Sequence, residues 1–139
     1  MENCIFCKII NKEIPSYKIY EDDLVLAFLD VNPVSLGHTL IIPKKHAENI
    51  FDIEEKYLER ILIVAKKIAQ KMKDVLSVDS VNLYHASGAN AEQTVFHFHL
   101  HIIPRRENDD VHFSPQPIEK PVLSKEEFRE IENKLKIGE

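Results

Sequence analysis

The chain is predicted to fold as an α+β domain: a mostly antiparallel sheet of five strands, one long helix and a C-terminal helix. Short apolar runs broken by turn residues favour hairpins over βαβ units. One long stretch, 53–76, carries apolar residues at helical spacing. A third run, Phe96-His97-Phe98-His99-Leu100-His101-Ile102-Ile103, alternates at period two, the pattern of a strand with two unlike faces. With 139 residues, 44% of them apolar, the chain has the size and core material of one ordinary domain.

Taken in order, residues 8–13 read as a short helical turn closed by Pro15. Residues 18–20 and 24–29 are two strands joined by the acidic turn Glu21-Asp22-Asp23, and Asp30-Val31-Asn32-Pro33 ends the second. A third strand covers 38–42 and stops at Pro43. Asp52 with Glu55 forms a capping-box variant that opens the long helix. Leu58, Ile61, Leu62, Ala65, Ile68, Ala69, Met72 and Leu76 form its apolar stripe, and Lys66, Lys67, Lys71 and Lys73 its solvated side. Residues 80–86 are a fourth strand, 87–91 a turn, and the histidine run a fifth strand ended by Pro104. The segment 105–121 is polar and holds Pro115, Pro117 and Pro121, so it is irregular. Ser124 and Glu127 make a capping box before a last helix with Phe128, Ile131 and Leu135 on one face.

The fifth strand carries the chemistry. Phe96, Phe98, Leu100 and Ile102 line one face and supply core, while His97, His99 and His101 line the other. Packing gives no reason to set three imidazoles in a row. A site needing nucleophile, acid and base near neutral pH does. A metal is the competing reading. Neighbouring members lie roughly 6.6 Å apart and the outer pair roughly 13 Å, so all three on one ion would strain a regular strand. Two could share a metal with ligands from elsewhere, which points to a division of labour.

The two cysteines form Cys4-Ile5-Phe6-Cys7. No βαβ pattern precedes them, so half of a zinc site is a better reading than a redox pair; two ordinary thiols is the plain alternative. A net charge of −5 argues against a nucleic-acid polymer as partner. No run of about 18 apolar residues exists, so no membrane span is expected. The acidic start, Met1-Glu2-Asn3-Cys4, lacks a signal region, and a cytoplasmic location is expected. No GxGxxG, Walker motif or nucleophile elbow is present.

The His-x-His-x-His run followed by two apolar residues resembles the histidine triad (HIT) family. Further segments carry the likeness in the right order over about residues 3–106: Cys4-Ile5-Phe6-Cys7-Lys8-Ile9-Ile10, Phe28-Leu29-Asp30-Val31, Gly37-His38-Thr39-Leu40-Ile41-Ile42-Pro43-Lys44-Lys45-His46, and Gln93-Thr94-Val95-Phe96. The ending Ile103-Pro104-Arg105 is similar to the bacterial and archaeal branch. The resemblance implies a HIT-like fold over 1–106; residues 107–139 match nothing in the family and are expected as a C-terminal extension with a short helix, packed on the same domain. It implies a nucleotidyl hydrolase or transferase, usually a homodimer, acting at the α-phosphate of a purine nucleoside 5′-phosphate ester or amidate, either a phosphoramidase or a dinucleoside polyphosphate hydrolase. His99 then corresponds to the family nucleophile, His101 contacts the phosphate, and His38 supports the triad. Asp30 holds the ribose hydroxyls. Gln93, Thr94 and Val95 lie where the family binds phosphate. Cys4, Cys7, His46 and His97 correspond to the structural zinc ligands of members with Cys-x-x-Cys.

The residues agree with these roles. A neutral imidazole is a competent nucleophile, and a nucleotidyl-histidine would split one displacement into two. Asp30, with no basic neighbour in sequence, can accept from both hydroxyls of a ribose, or can be a plain turn former before Pro33. His38 and His46 read alone as a surface histidine and a strand cap. The chain departs from the family at Ala86 and His85, where Asn is frequent, and at Glu92, where Gly is frequent. These departures bear on substrate preference. The alternative function is a non-catalytic nucleotide- or zinc-binding module acting through protein partners.

Overall fold

A computed structural model describes residues 3–111 and 120–138. The chain runs α1 (Ile5–Ile10), β1 (Lys18–Glu21), β2 (Val25–Leu29), β3 (Thr39–Pro43), α2 (Glu55–Val75), β4 (Ser80–Tyr84), a 3₁₀ turn (Ala89–Ala91), β5 (Leu100–Arg105) and α3 (Lys125–Leu135). The five strands form one sheet in the order β1-β2-β3-β5-β4, with every pair antiparallel. The α+β expectation holds. Among the described residues no helix is long and apolar enough to cross a membrane.

Two clusters explain why β2 and β3 read as continuous apolar runs: both sheet faces are covered. Val25, Ala27, Ile41 and Ile102 pack with Ile61, Val64, Ala65, Ile68 and Met72 of α2. Leu26, Phe28, Leu40 and Ile42 point the other way and pack with Phe6 of α1. The apolar stripe of α2 thus faces one side of the sheet, and the short α1 caps the other.

Four local expectations are corrected. The first helix begins at Ile5, not near residue 8, because the Cys4 thiol caps it by accepting from the Cys7 N–H at 3.3 Å. The long helix begins at Glu55, and Asp52 does not cap it. The Asp52 carboxylate accepts from the N–H groups of Glu48 and Asn49, both at 2.9 Å, and closes the preceding turn. The fourth strand ends at Tyr84, short of Ala86. The fifth begins at Leu100, not Phe96. Upstream of it the Phe98 N–H donates to the Ala47 carbonyl at 2.7 Å, outside any ladder. The alternation survives in part: Phe98 and Ile102 are buried on the α2 side, whereas Phe96 is 45% exposed.

The Ser124–Glu127 capping box forms as read. No residue of α3 is buried, so its apolar face, with Phe128 and Leu135, is open in the single chain. Past β5 the chain stays on the sheet as far as Val111. Arg105 pairs with Asp109 at 2.9 Å, bonds Asn82 at 2.8 Å and donates to the Val111 carbonyl. Pro115, Pro117 and the rest of 112–119 lie outside the described residues.

Gly37 sets the turn before His38 with φ +97, a left-handed conformation costly for other residues. An added Cβ would stand 2.7 Å from Leu76 Cδ1 and 3.3 Å from Pro104 Cγ. Leu76 can move; the backbone cannot. Gly37→Ala is therefore expected to lower unfolding free energy by about 1–3 kcal/mol in a urea titration. An unchanged urea midpoint would contradict this.

Candidate active site and metal centre

Four sulfur and nitrogen donors converge where α1, the end of β3 and the segment before β5 meet. Cys4 and Cys7 come from the start of α1, His46 from just past Pro43, and His97 from the bend ahead of Leu100. Cys4 Sγ lies 3.2 Å and Cys7 Sγ 3.6 Å from His97 Nδ1, and Cys7 Sγ lies 3.4 Å from His46 Nδ1. The two Nδ1 atoms are 3.1 Å apart. The edges of a tetrahedron with Zn–N near 2.0 Å and Zn–S near 2.3 Å are about 3.3–3.8 Å. These four separations are close to such edges and all four donor atoms lie within 4.8 Å of one another, so the set is compatible with a Cys₂His₂ ion.

The orientation of His97 supports that fit. A carbonyl only accepts, so the 2.9 Å contact from His97 Nε2 to the Pro43 oxygen places the proton on Nε2. Nδ1 is left with its lone pair toward the cysteines, the usual arrangement of a metal-binding imidazole. Burial and then the adjacent Cys4 push the Cys7 thiol up to about 11. A divalent cation among the donors would reverse that direction and hold thiolates.

The reactive half follows from the same kind of reasoning. His99 Nδ1 lies 2.8 Å from the His97 carbonyl, so it carries the proton and donates. In the neutral ring Nε2 then bears the lone pair, and among the described residues nothing hydrogen-bonds to it. The Val34 N–H donates to His38 Nδ1 at 3.2 Å, which places the His38 proton on Nε2. That proton is donated to His101 Nδ1 at 2.8 Å, which leaves His101 with its own proton on Nε2. Adjacent rings, with centroids 5.0 Å apart, thus end as opposites: His99 presents a lone pair and His101 an N–H.

Burial keeps these rings neutral. It pushes His97 down to about 4 and His101 down to about 3, and lowers His99 and His38 as well. Asp30, without a basic neighbour in sequence, gains one in the fold: its Oδ2 lies 3.5 Å from His38 Nε2 and draws that ring back toward the charged form. Its Oδ1 accepts from the Asn32 N–H at 2.8 Å, the bond expected of a turn former.

The Gln93 side chain is engaged with the main chain of the loops around it. Its amide donates to the carbonyls of Glu48 at 2.7 Å and Val95 at 3.0 Å, and accepts from the Gly88 N–H at 2.7 Å. Thr94 is exposed and Val95 half-buried at the end of that loop. Glu92 sits at φ +69, a left-handed position that explains why Gly suits it. Three residues to which the sequence assigns no role also build the site. The Phe6 ring meets His99 edge-on at 5.2 Å and His97 at 5.8 Å. His85 and Ser87 form a chain ending on the His99 carbonyl. Of these only His85 has a signal in the sequence, as a departure just past β4 whose partner appears on folding.

Residues 11–108 match the HIT domain model. The chain belongs to the HIT family. It is 50% identical over 140 residues to a HIT-like protein of Borreliella burgdorferi, covering 99% of both chains. It is 44% identical over 104 residues to the adenosine 5′-monophosphoramidase HNT1 of Saccharomyces cerevisiae, covering 75% of this chain and 63% of that one. The adenylylsulfatase HINT3 of Arabidopsis thaliana is 43% identical over 107 residues, covering 77% and 54% respectively. A HIT family crystal structure from Bacillus anthracis superposes with TM-score 0.89 at 41% identity, covering 96% and 95% of the two chains. A zinc-bound histidine triad protein from Mycobacterium smegmatis superposes with TM-score 0.77 at 38% identity, covering 84% of each. HIT membership fits a hydrolase, and the Cys/His cluster is compatible with zinc.

The neutral rings predict a pH dependence of stability. An unfolded imidazole takes a proton near 6.5, while folded His101 stays neutral to about 3. Stability is therefore full above pH 6.5 and declines as pH falls through that window. Glu21, held near 2 by Lys44 and then Lys18, adds its own loss only below about 4.5. Thermal midpoints should fall between pH 6.5 and 5, less steeply in His101→Asn. Parallel slopes for the two proteins would show that the buried His101 ring is not the source of the loss.

Proposed function

We propose that this HIT protein is a nucleotidyl hydrolase or transferase that works through a covalent nucleotidyl-histidine at His99. The observation that carries the reading is the opposed pair of neighbours, a lone pair on His99 Nε2 and a proton on His101 Nε2. A nucleophile and a hydrogen-bond donor set side by side are what attack on a charged phosphate requires.

In the first step the His99 Nε2 lone pair forms a bond to the α-phosphorus. The bond to the leaving amine or oxygen breaks, and the leaving group keeps the electron pair and takes a proton from water. His101 donates to a phosphate oxygen as charge builds there, and Thr94 and Val95 are assigned as further phosphate contacts on the family resemblance. The imidazolium formed on His99 keeps its Nδ1–H on the His97 carbonyl, which steadies its positive charge. Water then attacks phosphorus, expels neutral His99 and releases the nucleoside monophosphate. Asp30 accepts from the ribose. His38 holds the His101 tautomer. The adenosine 5′-monophosphoramidase and the adenylylsulfatase among the relatives support an adenylyl substrate, hence a purine nucleotide, for this chain.

Cys4, Cys7, His46 and His97 would hold a structural zinc. A closed four-ligand set leaves no position for a reactive water, and the ion when bound ties α1 to the histidine segment. We assign the same reading a homodimer. Leu62 and Ile63 of α2 are 57% and 50% exposed, and Leu83 on the edge strand β4 is 47% exposed. Together they make an apolar face of the kind a two-fold contact covers. Residues 107–139 are assigned as an extension of the HIT domain.

His99→Ala is expected to lower turnover of adenosine 5′-phosphoramidate by about 10⁴-fold with nucleotide binding retained. Mapping of a trapped adduct should place the nucleotide on His99, and an adduct on any other residue would overturn the assignment. Elemental analysis is expected to find one zinc per chain, and chelation to lower the thermal midpoint. Purified protein with no zinc and both thiols freely titratable would end the metal reading.

A further inference from the structure

The strand pairing beside the reactive histidine stops short of it. β4 and β5 pair from Ser80↔Arg105 to Tyr84↔His101. The His99 carbonyl lies beyond that end, and no main-chain N–H among the described residues donates to it. The segment 97–99 is therefore outside every strand, although the attacking ring hangs from it and is hydrogen-bonded to its own backbone.

A side chain does the work of the missing ladder. His85 Nδ1 lies 3.0 Å from the His99 carbonyl and must donate to it. The His85 ring also stacks on Phe98, with centroids 4.1 Å apart and planes 24° from parallel. Its Nε2 meets Ser87 Oγ. That oxygen accepts from the Ile50 N–H at 3.0 Å, so its own proton turns to Nε2 and keeps the His85 proton on Nδ1. On the other side, the Phe98 N–H is held by the Ala47 carbonyl. The main chain at 98–99 is thus clamped from two directions.

We propose that His85 is a positioning residue for the reaction: through the His99 carbonyl it holds the backbone that aims His99 Nε2. The inference rests on the reading of His99 as nucleophile. His85 does not touch the substrate. Its loss lets the 97–99 segment shift, and small misplacements of an attacking atom cost rate more than affinity.

The test compares hydrolysis of adenosine 5′-phosphoramidate by the wild-type protein, His85→Phe, His85→Asn and His99→Ala. Phe keeps a ring on Phe98 but no hydrogen bond. Asn keeps an N–H near the Nδ1 position without the ring. His85→Phe is expected to lose about ten- to a hundredfold in kcat with KM within about threefold, and His85→Asn to recover most of the loss. A purely packing role would reverse the order of the two variants. Should His85→Phe fail to fold in a thermal melt, His85→Gln replaces it, since its amide reaches the Nε2 position; Asn must then exceed Gln in kcat. Wild-type kcat in His85→Phe, or equal kcat in Asn and its comparator, overturns the inference. If His99→Ala is dead in that case, the inference falls alone. Full activity in His99→Ala overturns the reading of the reaction and the inference with it.

Discussion

The site depends on one kind of contact, an imidazole N–H donated to a main-chain carbonyl. Pro43 takes the proton of His97 at Nε2, and His97 takes the proton of His99 at Nδ1. These two bonds turn adjacent histidines into different reagents. His97 is left with Nδ1 as its donor atom and His99 with Nε2. A buried neutral imidazole has one proton to place, so the backbone decides the chemistry by choosing where it goes. Burial supplies the other condition, since the rings stay neutral at pH 7 because their charged forms are poorly solvated.

His97 joins the two halves. Its ring faces Cys4, Cys7 and His46, while its carbonyl holds His99. Anything that fixes the ring therefore fixes the backbone on which the neighbouring ring is hung. Phe6 strengthens the link, because it sits in α1 between the cysteines and packs its edge against both rings. On the far side, His38 and Val34 impose the complementary protonation on His101. The loop organised by Gln93 closes the remaining side by its main-chain bonds to Glu48, Gly88 and Val95. The segment 97–99 is held by hydrogen bonds where no strand ladder forms.

Much of this is legible in the sequence, for physical reasons. Period two from Phe98 to Ile102 correctly separates core from histidines, because that parity follows from an extended backbone whether or not a ladder forms. The stripe of α2 and the capping box of α3 are plain because both depend on local spacing. What is not legible shares a cause. Side chains that bond the main chain across long sequence distances carry no local signal. Asp52 has the spacing of a helix cap but is spent on the turn at Glu48 and Asn49. Gln93 stands at a phosphate-binding position of the family but serves carbonyls up to 45 residues away. His85 is visible in sequence only as a departure from its relatives, and its partner lies 14 residues on. The first helix starts earlier than its sequence suggests because its N-cap is a cysteine, outside the usual capping residues.

Imidazole protonation is directly observable. Long-range proton–nitrogen correlation spectra of the ¹⁵N-histidine-labelled protein at pH 7 read the tautomer of each ring. Neutral rings are expected, with the proton on Nδ1 in His99 and on Nε2 in His97 and His101. A His99 ring carrying its proton on Nε2, or one charged at that pH, would contradict the backbone's control of the site.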